Sequence, residues 1–163
     1  MIVVADTSVF LNLCCIQRED LLSRLYAEVF APPKVRDEFV SAVEHYSRFQ
    51  GLAFPSWVRL QEPSQPLSAV APWARLDPGE SAAIALAAEL RADLILVDEA
   101  RGRAVARRLG LRCAGILAVL LDAKAQRIIA AVTPLVDELQ QLPRFWLSPE
   151  TRAFVLRRAG EGK

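Results

Sequence analysis

The sequence has little of what many metal and nucleophile sites are built from. Its 163 residues include one histidine and three cysteines, Cys14, Cys15 and Cys113. The cysteine spacing offers no C-x-x-C pair, which excludes a cysteine-based zinc site and a disulfide framework. We predict that all three are small buried side chains in a reducing compartment. A single histidine, His45, excludes histidine-rich metal sites and argues against a histidine-dependent catalytic triad.

Long apolar runs and an excess of one charge are also missing. No apolar run approaches the ~18 residues of a membrane span, and the start, MIVVADTSVF, lacks the basic region and cleavage site of a signal peptide. We therefore expect a cytoplasmic protein without a membrane segment. With 20 basic and 19 acidic residues the net charge is +1, so nucleic-acid binding requires a local basic patch. A Gly-rich phosphate loop and a dinucleotide fingerprint are absent.

What is present is an alternation of strand-length apolar runs with helical periodicity. Ile2–Ala5 and Leu94–Val97 are continuous apolar runs, typical of parallel strands buried on both faces. Three shorter strands are predicted at 29–31, 57–60 and 111–114. Helices are predicted at 9–13, 19–29, 34–46, from Asp77-Pro78 onward, from 100 to Gly110, and at 115–126, 134–141 and 148–158.

This alternation predicts an α/β fold. We expect a three-layer α/β/α sandwich around a mainly parallel, roughly five-stranded sheet. The length fits one domain with a substantial core. We predict a single domain over residues 1–163, with 115–163 as its C-terminal helical extension.

Two of the apolar strands end in an aspartate. Asp6 follows the first strand and Asp98 follows the strand that begins at Leu94. If the two strands are parallel neighbours, both carboxylates lie at the carboxyl edge of the sheet, where α/β proteins place ligands. Asp6 and Asp98 could instead serve only as N-caps of the helices that follow them. The recurrence of the pattern favours a functional site.

Two glutamates have competing interpretations. Glu38 lies at the edge of the apolar face of its helix, where it could point into a cleft or remain a solvated helix charge. Glu80 lies in the first turn of the helix that Asp77 caps, three residues after Asp77. This is the spacing of a capping-box partner, and metal ligation is about equally supported.

Together, Asp6, Glu38, Glu80 and Asp98 predict a cation site, with Glu99 as a possible fifth member. Converging carboxylates raise one another's pKa and are unfavourable without a cation. A set of oxygen ligands without histidine or cysteine selects a hard ion such as Mg²⁺ or Mn²⁺. Such an ion suits hydrolysis of a phosphate ester.

The sequence resembles the PIN domain family over nearly its whole length. The resemblance is carried by VVADTSVF, PPKVRDEFV, LDPGESAAIALA, LILVDEARGRAVARRLGL, GILAVLLDAKAQRII, PLVDEL and FWLSPE, in this order and spacing. The last three are similar to a PIN-like subfamily of unassigned function. The family includes many metal-dependent ribonucleases and the toxins of toxin–antitoxin pairs.

The resemblance implies roles for particular residues. It places the catalytic and metal-binding acids at Asp6, Glu38, Glu80 and Asp98, with Ser8 supporting the first aspartate. The third acid is most often Asp in the wider family and is Glu80 here. The next acidic position of the family falls on or near Glu99, which we assign a supporting role.

The implied function is a Mg²⁺- or Mn²⁺-dependent endoribonuclease acting on single-stranded RNA, the toxin of a toxin–antitoxin pair. The alternative is an inactive PIN-like module that binds RNA or protein. A small antitoxin protein and a second copy, in a homodimer, are the expected partners. Arg101, Arg103 and Arg107 lie on or beside one helix after Asp98 and could contact the RNA backbone, or form a solvated helix face.

Overall fold

The computed structural model describes residues 1–162, in which five strands alternate with helices. The strands are β1 (Ile2–Ala5), β2 (Glu28–Ala31), β3 (Arg59–Leu60), β4 (Leu94–Leu96) and β5 (Cys113–Ala114). The α-helices are α1 (Thr7–Cys15), α2 (Asp20–Leu25), α3 (Pro33–His45), α4 (Pro78–Leu90), α5 (Ala100–Arg108), α6 (Ile116–Ala125), α7 (Thr133–Gln140) and α8 (Pro149–Arg158). Short 3₁₀ helices span Ser47–Phe49 and Leu67–Ala69. No helix within residues 1–162 combines the length and apolarity that crossing a bilayer requires.

The strands form one all-parallel sheet in the order β3-β2-β1-β4-β5. The chain adds β2 and β3 on one side of β1 and then returns to add β4 and β5 on the other side. The crevice between β1 and β4 is therefore the point where the strand order reverses, the preferred ligand position in such sheets. The predicted α/β sandwich with a roughly five-stranded sheet is confirmed.

The sheet is buried because its central strands carry apolar residues on both faces. Val3, Val4 and Ala5 of β1 are fully buried, as expected for a parallel strand covered by helices on both sides. Buried side chains from Val3 to Val155 form a single cluster, which includes residues of α6, α7 and α8. The C-terminal helices thus pack on the same core as the sheet.

Several elements differ in extent from the sequence prediction. The helix predicted over 19–29 ends at Leu25, because Tyr26 is extended and leads into β2. The strands predicted over 57–60 and 111–114 keep two residues each, at the two edges of the sheet, where short strands limit unwanted pairing. Cys14 is buried but Cys15 and Cys113 are half-buried, so the prediction of three buried cysteines is wrong for these two.

Candidate metal centre

The candidate site lies where β1 and β4 end side by side. The two strands pair in parallel, with Ala5 opposite Leu96, and the Asp6 N–H donates to the Leu96 carbonyl at 3.1 Å. The two aspartate-terminated strands are therefore parallel neighbours, which is the condition on which the sequence argument for a shared edge depends. Asp6 and Asp98 therefore leave the sheet at the same edge.

Asp6 is a buried carboxylate with one backbone donor. Its side chain is only 6% exposed, and Oδ1 accepts a hydrogen bond from the Thr7 N–H at 2.7 Å. Asp6 is thus the N-cap of α1 as well as a member of the site. Burial, with a smaller contribution from the charges of Glu38, Glu99 and Asp98, raises the pKa of Asp6 to about 7, although the Thr7 hydrogen bond lowers it.

Glu38 reaches the site from α3. Its Oε1 accepts from the Gly79 N–H at 2.8 Å, and its Oε2 accepts from the Thr7 hydroxyl at 2.9 Å. The side chain is half-buried. These two bonds hold the carboxylate between the first turns of α1 and α4, so Glu38 is not a freely solvated helix charge. Thr7, to which the sequence analysis assigns no role, positions Glu38 together with the Gly79 N–H.

Glu80 lies in the first turn of α4 and is 4% exposed. Its Oε1 is buried and has no hydrogen-bond partner among residues 1–162. Burial, followed by the charges of Asp6, Glu99, Asp77 and Glu38, raises the pKa of Glu80 to about 7. Asp77 occupies the N-cap position of α4 without a side-chain hydrogen bond, and the predicted Asp77–Glu80 capping box is not formed.

Asp98 is fixed by the start of α6. Its Oδ1 accepts from the Ile116 N–H at 2.8 Å, whereas its buried Oδ2 has no hydrogen-bond partner within residues 1–162. Burial raises the pKa of Asp98, while the Ile116 hydrogen bond, the Arg103 charge and the nearby Asn12 lower it. One oxygen of Asp98 is thus anchored and the other is left for a ligand.

A second group of acids adjoins these residues. In the described part of the chain, carboxylate oxygens of Asp77, Glu80 and Glu99 lie within 4.8 Å of one another. Of these three residues, the sequence predicts Glu80 as a metal ligand and Glu99 as a supporting residue. Asp77 is predicted only as a helix cap, and its place among the acids is new. We call the six acids together the acidic cluster: Asp6, Glu38, Asp77, Glu80, Asp98 and Glu99.

Three glycines make room for three of these carboxylates. A Cβ at Gly79 would overlap the Glu38 carboxylate, and one at Gly102 would overlap Glu80 Oε1. A Cβ at Gly115 would lie 2.7 Å from Asp98 Oδ1, well inside normal contact distance. The sequence contains these glycines, but only the packing of α4, α5 and the β5–α6 junction reveals which acid each one faces.

The other predicted residues take different positions around the cluster. Ser8 Oγ is buried without a hydrogen-bond partner among residues 1–162. Arg103 Nη1 donates to the carbonyls of Val97 and Asp98 at the end of β4, so part of its guanidinium is engaged by backbone. Arg101 and Arg107 are exposed, and Arg101 lines a small cavity shared with acids of the cluster.

The acidic cluster fits a hard divalent cation. Two of its buried carboxylate oxygens lack donors among residues 1–162, and burial together with neighbouring carboxylates raises the pKa values of Asp6 and Glu80. Neither histidine nor cysteine belongs to the cluster. Uncompensated buried carboxylates of this kind are stabilised by a cation with oxygen preference, such as Mg²⁺ or Mn²⁺. Fold and site together define an α/β protein with an acidic centre at its topological switch point.

Comparison with known proteins identifies the family. A family model described as PIN domain matches residues 2–161; the chain belongs to the PIN domain family, whose members are typically nucleases that use a divalent metal. The fold is similar to that of a PilT N-terminus domain protein from the hyperthermophilic archaeon Sulfolobus solfataricus, with a TM-score of 0.50, 20% identity and coverage of 73% of this chain and 90% of that one. No curated protein matches the chain.

Proposed function

We propose that this protein is a metal-dependent endoribonuclease that hydrolyses phosphodiester bonds of single-stranded RNA. The observation that carries the proposal is the acidic cluster, in which carboxylate oxygens of Asp77, Glu80 and Glu99 lie within 4.8 Å of one another and the charges of Asp6 and Glu38 act on Glu80. Buried oxygens of Glu80 and Asp98 are left without donors among residues 1–162. Membership of the PIN domain family supports a nuclease in general. Mg²⁺ or Mn²⁺ is the cation that an oxygen-only site of this kind favours.

The chain's own residues have separable tasks in this proposal. Asp6, Glu38, Glu80 and Asp98 would hold the cation, which when bound supplies Lewis acidity toward phosphate oxygens and toward water. Thr7 and the Gly79 N–H orient Glu38, and the Ile116 N–H orients Asp98. The exposed guanidinium groups of Arg101 and Arg107 would contact phosphates of the bound strand.

The test is cleavage of a mixed single-stranded RNA pool with Mn²⁺, Mg²⁺ or a chelator. We expect cleavage with either metal and none with the chelator. Asp6→Asn and Asp98→Asn should reduce cleavage to background, since each removes a negative charge from the cluster. Asp37→Asn is the matched control, because Asp37 adjoins Glu38 on α3 but its side chain is 61% exposed and paired with Arg36.

The outcomes separate the proposal from its alternative. Cleavage that persists unchanged in Asp6→Asn would contradict the assignment of the site. Calorimetric Mn²⁺ binding without hydrolysis of any RNA would instead favour an inactive PIN-like module that binds RNA or protein.

The proposal extends to a role as the toxin of a toxin–antitoxin pair, with a small antitoxin protein as partner and a homodimer as the functional form. Resemblance to PIN toxins supports this role. Apolar side chains such as Val40 and Phe154 are 44% and 54% exposed and would be available to a second copy. Light scattering after size exclusion should give about twice the 18.0 kDa of the chain; a mass near 18.0 kDa would refute the dimer.

A further inference from the structure

A large groove opens beside the acidic cluster and is not explained by the metal centre. It has a volume of about 720 Å³. Its lining includes Ser8, Asp98 and Glu99 as well as the irregular segment 142–148 between α7 and α8. We call it the C-terminal groove. Because Asp98 and Glu99 line it, a chain bound in the groove would lie beside the candidate metal centre.

The walls of the groove combine aromatic rings with arginines. Trp146 is 83% exposed, although burying an indole is ordinarily favourable. Among the other lining residues, the Arg48 guanidinium lies 4.6 Å from the ring centroids of both Tyr46 and Phe49. This stacking on two rings restrains the arginine. In the part of the chain that the structure describes, neither Arg48 nor Arg144, which also lines the groove, forms an ion pair with a carboxylate.

Exposed aromatic faces interleaved with unpaired arginines are the composition of a single-stranded nucleic-acid site. Bases stack on aromatic rings, and arginines contact the phosphates between them. An apolar protein segment would not make use of the unpaired cations at this position, whereas a polyanion does. The arginines also offset the repulsion that a strand would meet on approaching the acidic cluster.

We propose that the C-terminal groove binds single-stranded RNA next to the cleavage site, with Trp146 stacking on a base and Arg48 and Arg144 contacting phosphates. This inference rests on the proposed function for its substrate but assigns residues outside the acidic cluster. Trp146 belongs to FWLSPE, one of the stretches that carry the family resemblance, but the resemblance assigns it no role.

The test measures binding, so that it does not depend on cleavage. A fluorescein-labelled single-stranded oligoribonucleotide is titrated with the full chain in chelator, and anisotropy gives the Kd. Trp146→Leu, which keeps an apolar side chain but removes the aromatic face, should weaken binding about tenfold, whereas Trp146→Phe should retain most of it. The matched control is Trp73→Leu: Trp73 is 41% exposed and stacks on Arg108 instead of lining the groove, so its loss should leave the Kd unchanged.

Salt dependence tests the arginines separately. Loss of one phosphate contact should reduce the slope of log K against log salt by about 0.7 for single-stranded nucleic acid. We expect this reduction for Arg144→Ala, and no change for Arg158→Ala, an exposed arginine on α8 that does not line the groove. Because Trp146 and Arg144 are exposed, their variants should keep the wild-type Tm.

The results decide whether single-stranded RNA or a second copy of the chain occupies the C-terminal groove. Unchanged RNA affinity in Trp146→Leu overturns the inference, as does the absence of RNA binding by the wild-type chain. A dimer that dissociates in Trp146→Leu while RNA affinity is unchanged would overturn it in favour of an interface between copies. Trp146-dependent RNA binding without metal-dependent cleavage would uphold the inference while refuting the proposed ribonuclease.

Discussion

Glu80 is the residue at which the two groups of acids meet. Its carboxylate is close to Asp77 and Glu99, and its pKa is raised by Asp6 and Glu38 as well. One of its oxygens is buried without a donor among residues 1–162. Ionised Glu80 is therefore a destabilising element of the metal-free protein, and a cation would turn it into a stabilising one.

Replacing Glu80 with Gln should stabilise the metal-free protein in a pH-dependent way. The pKa of Glu80 is raised from 4.5 to about 7 by folding, so wild-type stability falls as the pH rises from about 4.5 to 7. Glu80→Gln removes the contribution of Glu80 to this dependence and leaves that of Asp6, whose pKa is also raised to about 7. At pH 8 in chelator the free energy of unfolding of the variant should exceed that of the wild type by about 2 kcal/mol. Urea unfolding at several pH values measures the difference.

The stability advantage of Glu80→Gln over the wild type should disappear once a divalent cation is added. Mn²⁺ should raise the Tm of the wild type more than that of Glu80→Gln, because a neutral amide is a weaker ligand. Glu62→Gln, at an exposed site outside the cluster, is the control. An equal Mn²⁺ response in both proteins would show that Glu80 is not a ligand.

At the scale of the elements, α4 can approach the Glu38 carboxylate of α3 because Gly79 has no side chain. Gly79→Ala should displace the Glu38 carboxylate and weaken Mn²⁺ binding by about tenfold, by analogy with groups that orient metal ligands. Its effect on folding should be small, because the displaced atoms are the end of a flexible side chain and Ala favours the helix by up to about 1 kcal/mol. Calorimetry with Mn²⁺ and urea unfolding measure the two effects.

Gly110→Ala is the control for Gly79→Ala, because it should lower stability without changing Mn²⁺ affinity. Gly110 has φ +78° and follows α5, where the Leu111 N–H bonds to the Ala106 carbonyl at 2.9 Å, so a side chain is strained there. This variant should destabilise the fold by about 1 kcal/mol without changing Mn²⁺ affinity. If Gly110→Ala lowered Mn²⁺ affinity as much as Gly79→Ala, the prediction that Gly79 acts by leaving room for the Glu38 carboxylate would be contradicted.

The sequence predicts the elements better than the contacts between them. Apolar runs ending in Asp6 and Asp98 predict that these acids share an edge of the sheet, because parallel strands bury both faces and end together. Gly110 predicts the end of α5 for an equally local reason. The partnership of Glu38 with Thr7, and the membership of Asp77 in the cluster, depend on how helices distant in sequence pack, and no local pattern encodes that.

At the scale of the whole molecule, one carboxylate joins the end of the described chain to the C-terminal helices. Glu161 accepts from the N–H groups of Val132 and Thr133, from the Thr133 hydroxyl and from Lys124 of α6 at 2.8–3.1 Å. These partners hold the pKa of Glu161 down to about 2. Because the free N–H groups at the start of α7 are among the donors, Glu161 caps that helix from a distance.

Glu161→Gln should destabilise the protein at neutral pH by about 2 kcal/mol, the scale of hydrogen bonds to a charged group. With a pKa lowered from 4.5 to about 2, the contribution of Glu161 is present above about pH 4.5 and lost as the pH falls toward 2. The difference between wild type and variant should therefore shrink over that range. Asp137→Asn is the control, since it breaks the ion pair between Arg152 and a carboxylate that is 56% exposed. It should lower the free energy of unfolding by less than about 0.5 kcal/mol. An equal loss of stability in both variants would contradict the prediction.

The glycines that face the carboxylates have a consequence for how this protein can diverge. A related chain could retain all six acids and still hold them in a less favourable arrangement, if a single methyl group appeared opposite Glu38, Glu80 or Asp98. A weakened cation site in such a chain would then leave no trace among its acidic residues. If the cluster holds a cation as proposed, Gly79, Gly102 and Gly115 carry as much information about that site in a related chain as the acids themselves.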